Sequence, residues 1–185
     1  MKKIIYFLTL LLVLSGCSNK MIVNYTYDIK SKDVDMSSYE EVNSTNHMFK
    51  GITIQELFNC IDNKSSGIFY FGRTNCACCQ ICAKYINKAA EDLNLTVFYI
   101  DVYDKDMPID SELQNKLKEY LKPILEKDDE GVPMLQTPIV FSVINGELFD
   151  SIIGLGTLEW DNVPTKSQEN KLINRYKEIF KPFVK

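Results

Sequence analysis

Cysteine is the side chain in this sequence best suited to chemistry, and four of the six cysteines crowd into seven positions: Cys76, Cys78, Cys79 and Cys82. They follow the apolar run Ile68 to Phe71 across a short polar stretch, Gly72-Arg73-Thr74-Asn75. The thiolate, not the thiol, attacks disulfides, and an ordinary cysteine is mostly un-ionised at neutral pH. At the start of a helix, unpaired amide N–H groups and the positive end of the helix dipole favour the anion. Cys76 stands where such a helix should begin, so it is the expected nucleophile. Cys79, about one turn along, is the expected resolving thiol.

The remaining cysteines read differently. Cys79, Cys82, Ile86, Ala89 or Ala90, and Leu93 fall on one stripe of a helix, with Lys84, Lys88 and Glu91 elsewhere. Cys79 should therefore lie deeper than Cys76, and Cys82 should pack in the core, as free cysteine readily does. Cys60, beside Phe58 and Ile61, has the same expectation. A static disulfide is the bland alternative for Cys76 and Cys79. Four close thiols also suit Cu(I) or Zn²⁺. Against metal, a helix turns each successive side chain through about 100°, which spreads them around its axis. The only histidine, His47, reads as a surface residue.

The elements around the cysteines follow from pattern. Met48 to Ile52 reads as a short strand, and Thr53-Ile54-Gln55-Glu56 as a capping box opening a helix through Leu57, Phe58 and Ile61. Ile68 to Phe71 is short and wholly apolar, as a central strand is. The cysteine helix comes next, then a strand over Leu95 to Val102, a loop with Pro108, and a helix with Leu113, Leu117, Tyr120 and Leu121, broken near Pro123. Ile139 to Ile144 turns back through Asn145-Gly146, a strong hairpin signal, into Glu147 to Ile153. A loop with the sole tryptophan, Trp160, leads to a last helix carrying Leu172, Ile173, Tyr176, Ile179 and Phe180. This order predicts parallel crossovers followed by one antiparallel pair, in a mixed sheet covered by helices.

From Met48 to Lys185 the chain resembles the thioredoxin superfamily. The resemblance rests on Cys76-Ala77-Cys78-Cys79 directly after a hydrophobic strand, on Thr137-Pro138 opening a later strand, and on Asn145-Gly146 with Gly154 beyond, the steps from Pro138 being equal. It implies an α/β, thioredoxin-like fold with a mixed central β-sheet flanked by helices. It also implies a thiol–disulfide oxidoreductase acting on protein or peptide thiols and disulfides, with a redox partner and no cofactor. Under it the Thr137–Pro138 bond is cis and lies beside the cysteines, Thr137 presents its backbone to an extended peptide, and Cys78 tunes the redox pair. Asn75, Ala77-Cys78 and Tyr70 stand where thioredoxin has Trp, Gly-Pro and a buried acid, so proton handling must differ. The motif strand looks most like that of the bacteriocin transport accessory group. A redox-inactive, peptide-binding module of the same shape is the remaining alternative.

The N-terminus reads as an address. Lys2 and Lys3 precede an apolar run, Ile4 to Leu14, broken only by Thr9 and too short to span a bilayer. Leu14-Ser15-Gly16-Cys17 resembles the lipobox of bacterial lipoproteins, which implies removal of residues 1–16, lipidation of Cys17 and a location on the extracytoplasmic face of the cell membrane. Two acyl chains suffice for stable anchoring. Residues 17–47, rich in Ser, Asn, Asp and Lys, read as a tether, with Val23, Tyr25, Tyr27 and Ile29 alternating as an edge strand would. The net charge of −4, with no basic run, argues against nucleic acid as a partner.

Overall fold

The computed structural model describes residues 22–42, 46–102, 111–156 and 164–184. The lipobox with Cys17, Pro108 and Trp160 lie outside them. The elements are β1 (Phe49–Gly51), α1 (Ile54–Asp62), β2 (Gly67–Gly72), α2 (Ala77–Leu93), β3 (Val97–Asp101), α3 (Ser111–Leu121), β4 (Ile139–Ile144), β5 (Glu147–Ile153) and α4 (Lys166–Phe180). They form the expected α/β, thioredoxin-like architecture, one five-stranded sheet in the order β1-β3-β2-β4-β5.

β2 sits at the centre because its side chains are apolar on both faces, and all six of its residues are buried. Ile68 and Tyr70 point to one face, where they pack with α2 and α4 through Cys79, Ile86, Tyr176 and Phe180. Phe69 and Phe71 point to the other, toward α1 and α3 through Leu57, Phe58, Leu117 and Leu121. The period of two in the strand thus divides the core into two layers. Cys82 and Cys60 are fully buried, one in each layer.

One expectation about the sheet needs correction. β1 and β2 each run parallel to β3, but β4 runs antiparallel to β2 as well as to β5, giving two antiparallel pairs instead of one. After α3, residues 122–138, closed by an antiparallel bridge between Lys127 and Pro133, carry the chain back to the end of the sheet at which β2 leaves. β4 must therefore descend against β2. The Asn145-Gly146 turn forms as expected, both residues at positive φ of 55° and 84°. A Cβ at Gly146 would lie 2.6 Å from the Ile61 carbonyl, so glycine is required there for space as well as for φ.

The described part of the expected tether belongs to the folded body, and it holds no edge strand. Val23 to Ile29 makes no ladder, and a single antiparallel bridge, Lys32 to Gly51, joins this segment to the sheet. Its backbone is satisfied by side chains instead. Asn24 N–H donates to Asn145 Oδ1 at 2.9 Å, and Lys30 N–H donates to Glu56 Oε1 at 2.6 Å. β1 has only three residues, too few to template a neighbour of seven. Farther on, Met36, Tyr39 and Val42 are buried against α2.

The same contacts modify the expected capping box. Thr53 does accept from Glu56 N–H at 3.0 Å. Glu56 does not reach back: its carboxylate accepts from Tyr27 Oη at 2.8 Å, from Lys30 N–H, and from Asn59 Nδ2 at 3.0 Å. A reciprocal capping box occurs at α4, between Thr165 and Gln168.

Candidate active site

β2 ends at Gly72, and residues 73–75 turn the chain so that Cys76 becomes the N-cap of α2. Cys76 has extended backbone angles (φ −111°, ψ 112°), and its sulfur does what a capping Ser or Asp oxygen does. It accepts the Cys79 N–H at 3.2 Å. The Thr137 hydroxyl lies 3.9 Å and the Thr137 carbonyl 3.8 Å from the same sulfur. The Thr137–Pro138 peptide is cis. Cys76, Cys79, Thr137 and Pro138, far apart in sequence, therefore meet at one end of the sheet.

Environment separates the two sulfurs. Burial opposes ionisation of Cys76, but hydrogen bonds from the Cys79 thiol, the Cys79 N–H, Thr137 and Arg73 outweigh it and lower its pKa below the usual thiol value. Cys79 is wholly buried, and that burial pushes it up to about 12, with its bond to Cys76 adding to the rise. One thiol is the more readily ionised; its neighbour is held protonated. Cys78, between them, is buried and also raised to about 12, first by burial and then by the charges of Cys76 and Cys79. Burial likewise raises Cys82, whose sulfur donates to the Gly154 carbonyl at 3.4 Å, and takes Cys60 to about 12. All five described cysteines are free thiols.

Sequence reading missed several supports. Arg73 is the only charged side chain between Phe69 and Cys82, and that isolation was the available signal. Gln80 locks the turn, donating from Nε2 to the Thr74 carbonyl at 2.6 Å and to the Ser38 carbonyl at 2.8 Å. Beneath the motif, Tyr70 donates to the Cys79 carbonyl at 3.1 Å. Its hydroxyl folds over Gly72, where any Cβ would come within 2.6 Å of it. Tyr39 and Tyr99 join their hydroxyls at 3.0 Å, and the Tyr70 and Tyr99 rings pack with centroids 5.4 Å apart. Beneath the motif the site thus holds a cluster of three buried phenols, Tyr39, Tyr70 and Tyr99. Burial raises all three phenols, so they remain neutral donors and acceptors at ordinary pH.

Among the described residues no three Cys, His, Asp or Glu side chains converge as a metal site requires. Cys76, Cys78, Cys79 and Cys82 follow the turn of a helix, and Cys82 is directed at Gly154. Among the described residues, too, no helix is long and apolar enough to cross a membrane.

Comparison with known proteins adds two findings. Residues 1–18 match the family described as prokaryotic membrane lipoprotein lipid attachment site, which includes Cys17. A search of curated protein sequences found no match. Among solved structures, the chain is similar to thioredoxin O2 of Arabidopsis thaliana in its oxidised state, at 15% identity and a TM-score of 0.45, covering 75% of this chain and 96% of that one. It is similar to thioredoxin of Trypanosoma brucei brucei at 14% identity and a TM-score of 0.43, covering 76% and 99%. A mutant thioredoxin of Halobacterium salinarum matches at 20% identity and a TM-score of 0.38, covering 70% and 89%. None of these matches bears on the narrower resemblance to the bacteriocin transport accessory group.

Proposed function

We propose that this chain is a membrane-anchored thiol–disulfide oxidoreductase, facing the extracytoplasmic side, that acts on protein or peptide thiols and disulfides through Cys76 and Cys79. The observation that carries this reading is the contrast between the two sulfurs, one capping a helix with its pKa lowered and the other fully buried and raised to about 12.

In the reducing direction the Cys76 thiolate attacks one sulfur of a client disulfide. An S–S bond forms between Cys76 and the client, and the client's second sulfur leaves as a thiolate. Cys79 then gives up its proton, which the client thiolate released in the first step can take through water, and attacks the Cys76 sulfur, closing a Cys76–Cys79 disulfide and releasing the client's first sulfur as a thiolate. The client gains two electrons and the protein loses two; the reverse sequence oxidises a client dithiol. Thr137 and Pro138 lie beside Cys76, and in this reading the Thr137 backbone meets an extended client segment. Cys78, buried beside the pair, tunes its potential.

Replacing Cys76 by Ser abolishes exchange with a model disulfide, whereas Cys79→Ser retains the first step and accumulates a mixed disulfide with the client. Unchanged turnover in Cys76→Ser, or no trapped adduct in Cys79→Ser, overturns the assignment.

A further inference from the structure

We infer that the domain stands end-on over its bilayer, with the Asn145-Gly146 turn toward the lipid and the Cys76 end of the sheet facing away from it. This rests on the reading of Cys17 as the lipid-bearing residue.

The first described residues are fastened to the β4–β5 turn. Asn145 Nδ2 donates to the Ile22 carbonyl at 2.9 Å, and Asn145 Oδ1 accepts the Asn24 N–H at the same distance. Asn24 Nδ2 donates to the Lys64 carbonyl at 3.2 Å, on the neighbouring connection between α1 and β2. Gly146 N–H donates to the Ser65 carbonyl at 2.9 Å, so these connections form one end of the molecule.

That end is opposite the cysteines. β4 starts beside Cys76, at the Thr137–Pro138 pair, and finishes at the turn. At about 3.3 Å per residue, the run from Pro138 to Asn145 covers about 23 Å. From Cys17 to Ile22, by contrast, the chain can reach at most about 18 Å even when fully extended. A tether of thirty residues would leave the orientation of the domain open, but here most of that length is bound to the body. The lipid is therefore attached by a short link to one end of the sheet, and the reactive sulfur is at the other.

The surface at the linked end suits the partner. Ile22 is 80% exposed, Tyr25 52% and Val184 47%, the first, second and fifth among the exposed large apolar side chains in chain order. Tyr25 and Phe183, the neighbour of Val184, line one cleft of about 410 Å³ with Gly67 and Leu95, which places these groups together at the ends of β2 and β3 remote from Cys76. Apolar and tyrosine side chains at the same end as a lipid attachment fit the headgroup boundary of a bilayer, where an aromatic ring buries its body and keeps its hydroxyl wet. Clients then meet Cys76 from the aqueous side. Disulfides in soluble partners, or in extramembrane segments that stand clear of the lipid, are the substrate class this geometry admits.

The test uses the full lipidated chain in vesicles containing nitroxide-labelled lipids, with Trp160→Phe as background and a single tryptophan introduced by Tyr25→Trp or by Thr74→Trp. Flotation with the vesicles reports the anchor, and disulfide exchange reports the chemistry, each independently of orientation. The expected result is flotation of both variants, with the fluorescence at position 25 quenched by about half and that at position 74 unchanged. Quenching at 74 equal to or greater than that at 25, or quenching at neither position in protein that floats, overturns the orientation while leaving the anchor and the oxidoreductase standing. Failure to float removes the anchor and the orientation together.

Discussion

The backbone N–H of Cys79 points at the sulfur of Cys76 from 3.2 Å, so the second cysteine of the pair helps to ionise the first. A hydrogen bond from an amide to a sulfur anion is charge-assisted, and here it is supplied by the first turn of a helix whose dipole acts in the same sense.

The first consequence is a pH profile. Iodoacetamide should modify Cys76 before any other thiol, with a rate midpoint below 9, the ordinary value from which Cys76 is lowered. Cys78, Cys79 and Cys60, each pushed to about 12 and each buried, should stay protected until the protein unfolds. The sign for stability follows. Because the folded-state pKa of Cys76 is depressed, its contribution is present above the ordinary thiol value and is lost as pH falls through the folded value. Peptide mapping after timed alkylation checks the order, and a midpoint at or above 9 contradicts it.

Arg73 is among the groups that lower the Cys76 pKa, so Arg73→Met should raise the alkylation midpoint. The rate of attack on a disulfide at pH 7 should fall several-fold, with thermal stability nearly unchanged. A drop in stability without a shift in midpoint would mark Arg73 as structural only.

Glu56 fastens the N-terminal segment. Burial raises its pKa, but bonds from Lys30 N–H, Tyr27 and Asn59 outweigh this, and the net shift is downward. Glu56→Gln should cost about 2 kcal/mol in denaturant unfolding, since three donors lose a charged acceptor. The wild-type carboxylate stabilises above its ordinary value of 4.5 and ceases to do so as pH falls through its folded-state value, so the Gln variant should show a weaker acid dependence.

Gly72 faces the Tyr70 hydroxyl so closely that a Cβ would sit 2.6 Å from it and 2.6 Å from the ring carbon that bears it. Gly72→Ala should therefore destabilise by about 2 kcal/mol through overpacking. Because Tyr70 holds the Cys79 carbonyl, the same variant should resolve mixed disulfides more slowly, measured as release of a chromogenic thiol from a trapped adduct.

Much of this molecule was legible along the chain. The Ile68–Phe71 run could only be a strand buried on both faces, because it is short and apolar throughout; the cysteine helix declared its stripe through Cys79, Cys82 and Ile86; and Asn145-Gly146 supplied the two positive φ angles of a tight turn. These are local signals, set by side-chain period and backbone sterics within a few residues. Tertiary structure decided the rest. Val23 to Ile29 alternates like a strand, yet its partners are side chains of Glu56, Ser65 and Asn145, and no local pattern announces an acceptor that lies between 26 and 121 residues away. Glu56 looked like half of a capping box until Tyr27 and Lys30 claimed its carboxylate. The direction of β4 depended on where residues 122–138 returned the chain, and the phenol cluster beneath Cys79 depended on the register that sets Tyr70 against Tyr99. Period and propensity specify which elements form; only the packing of those elements determines which distant polar groups must satisfy one another.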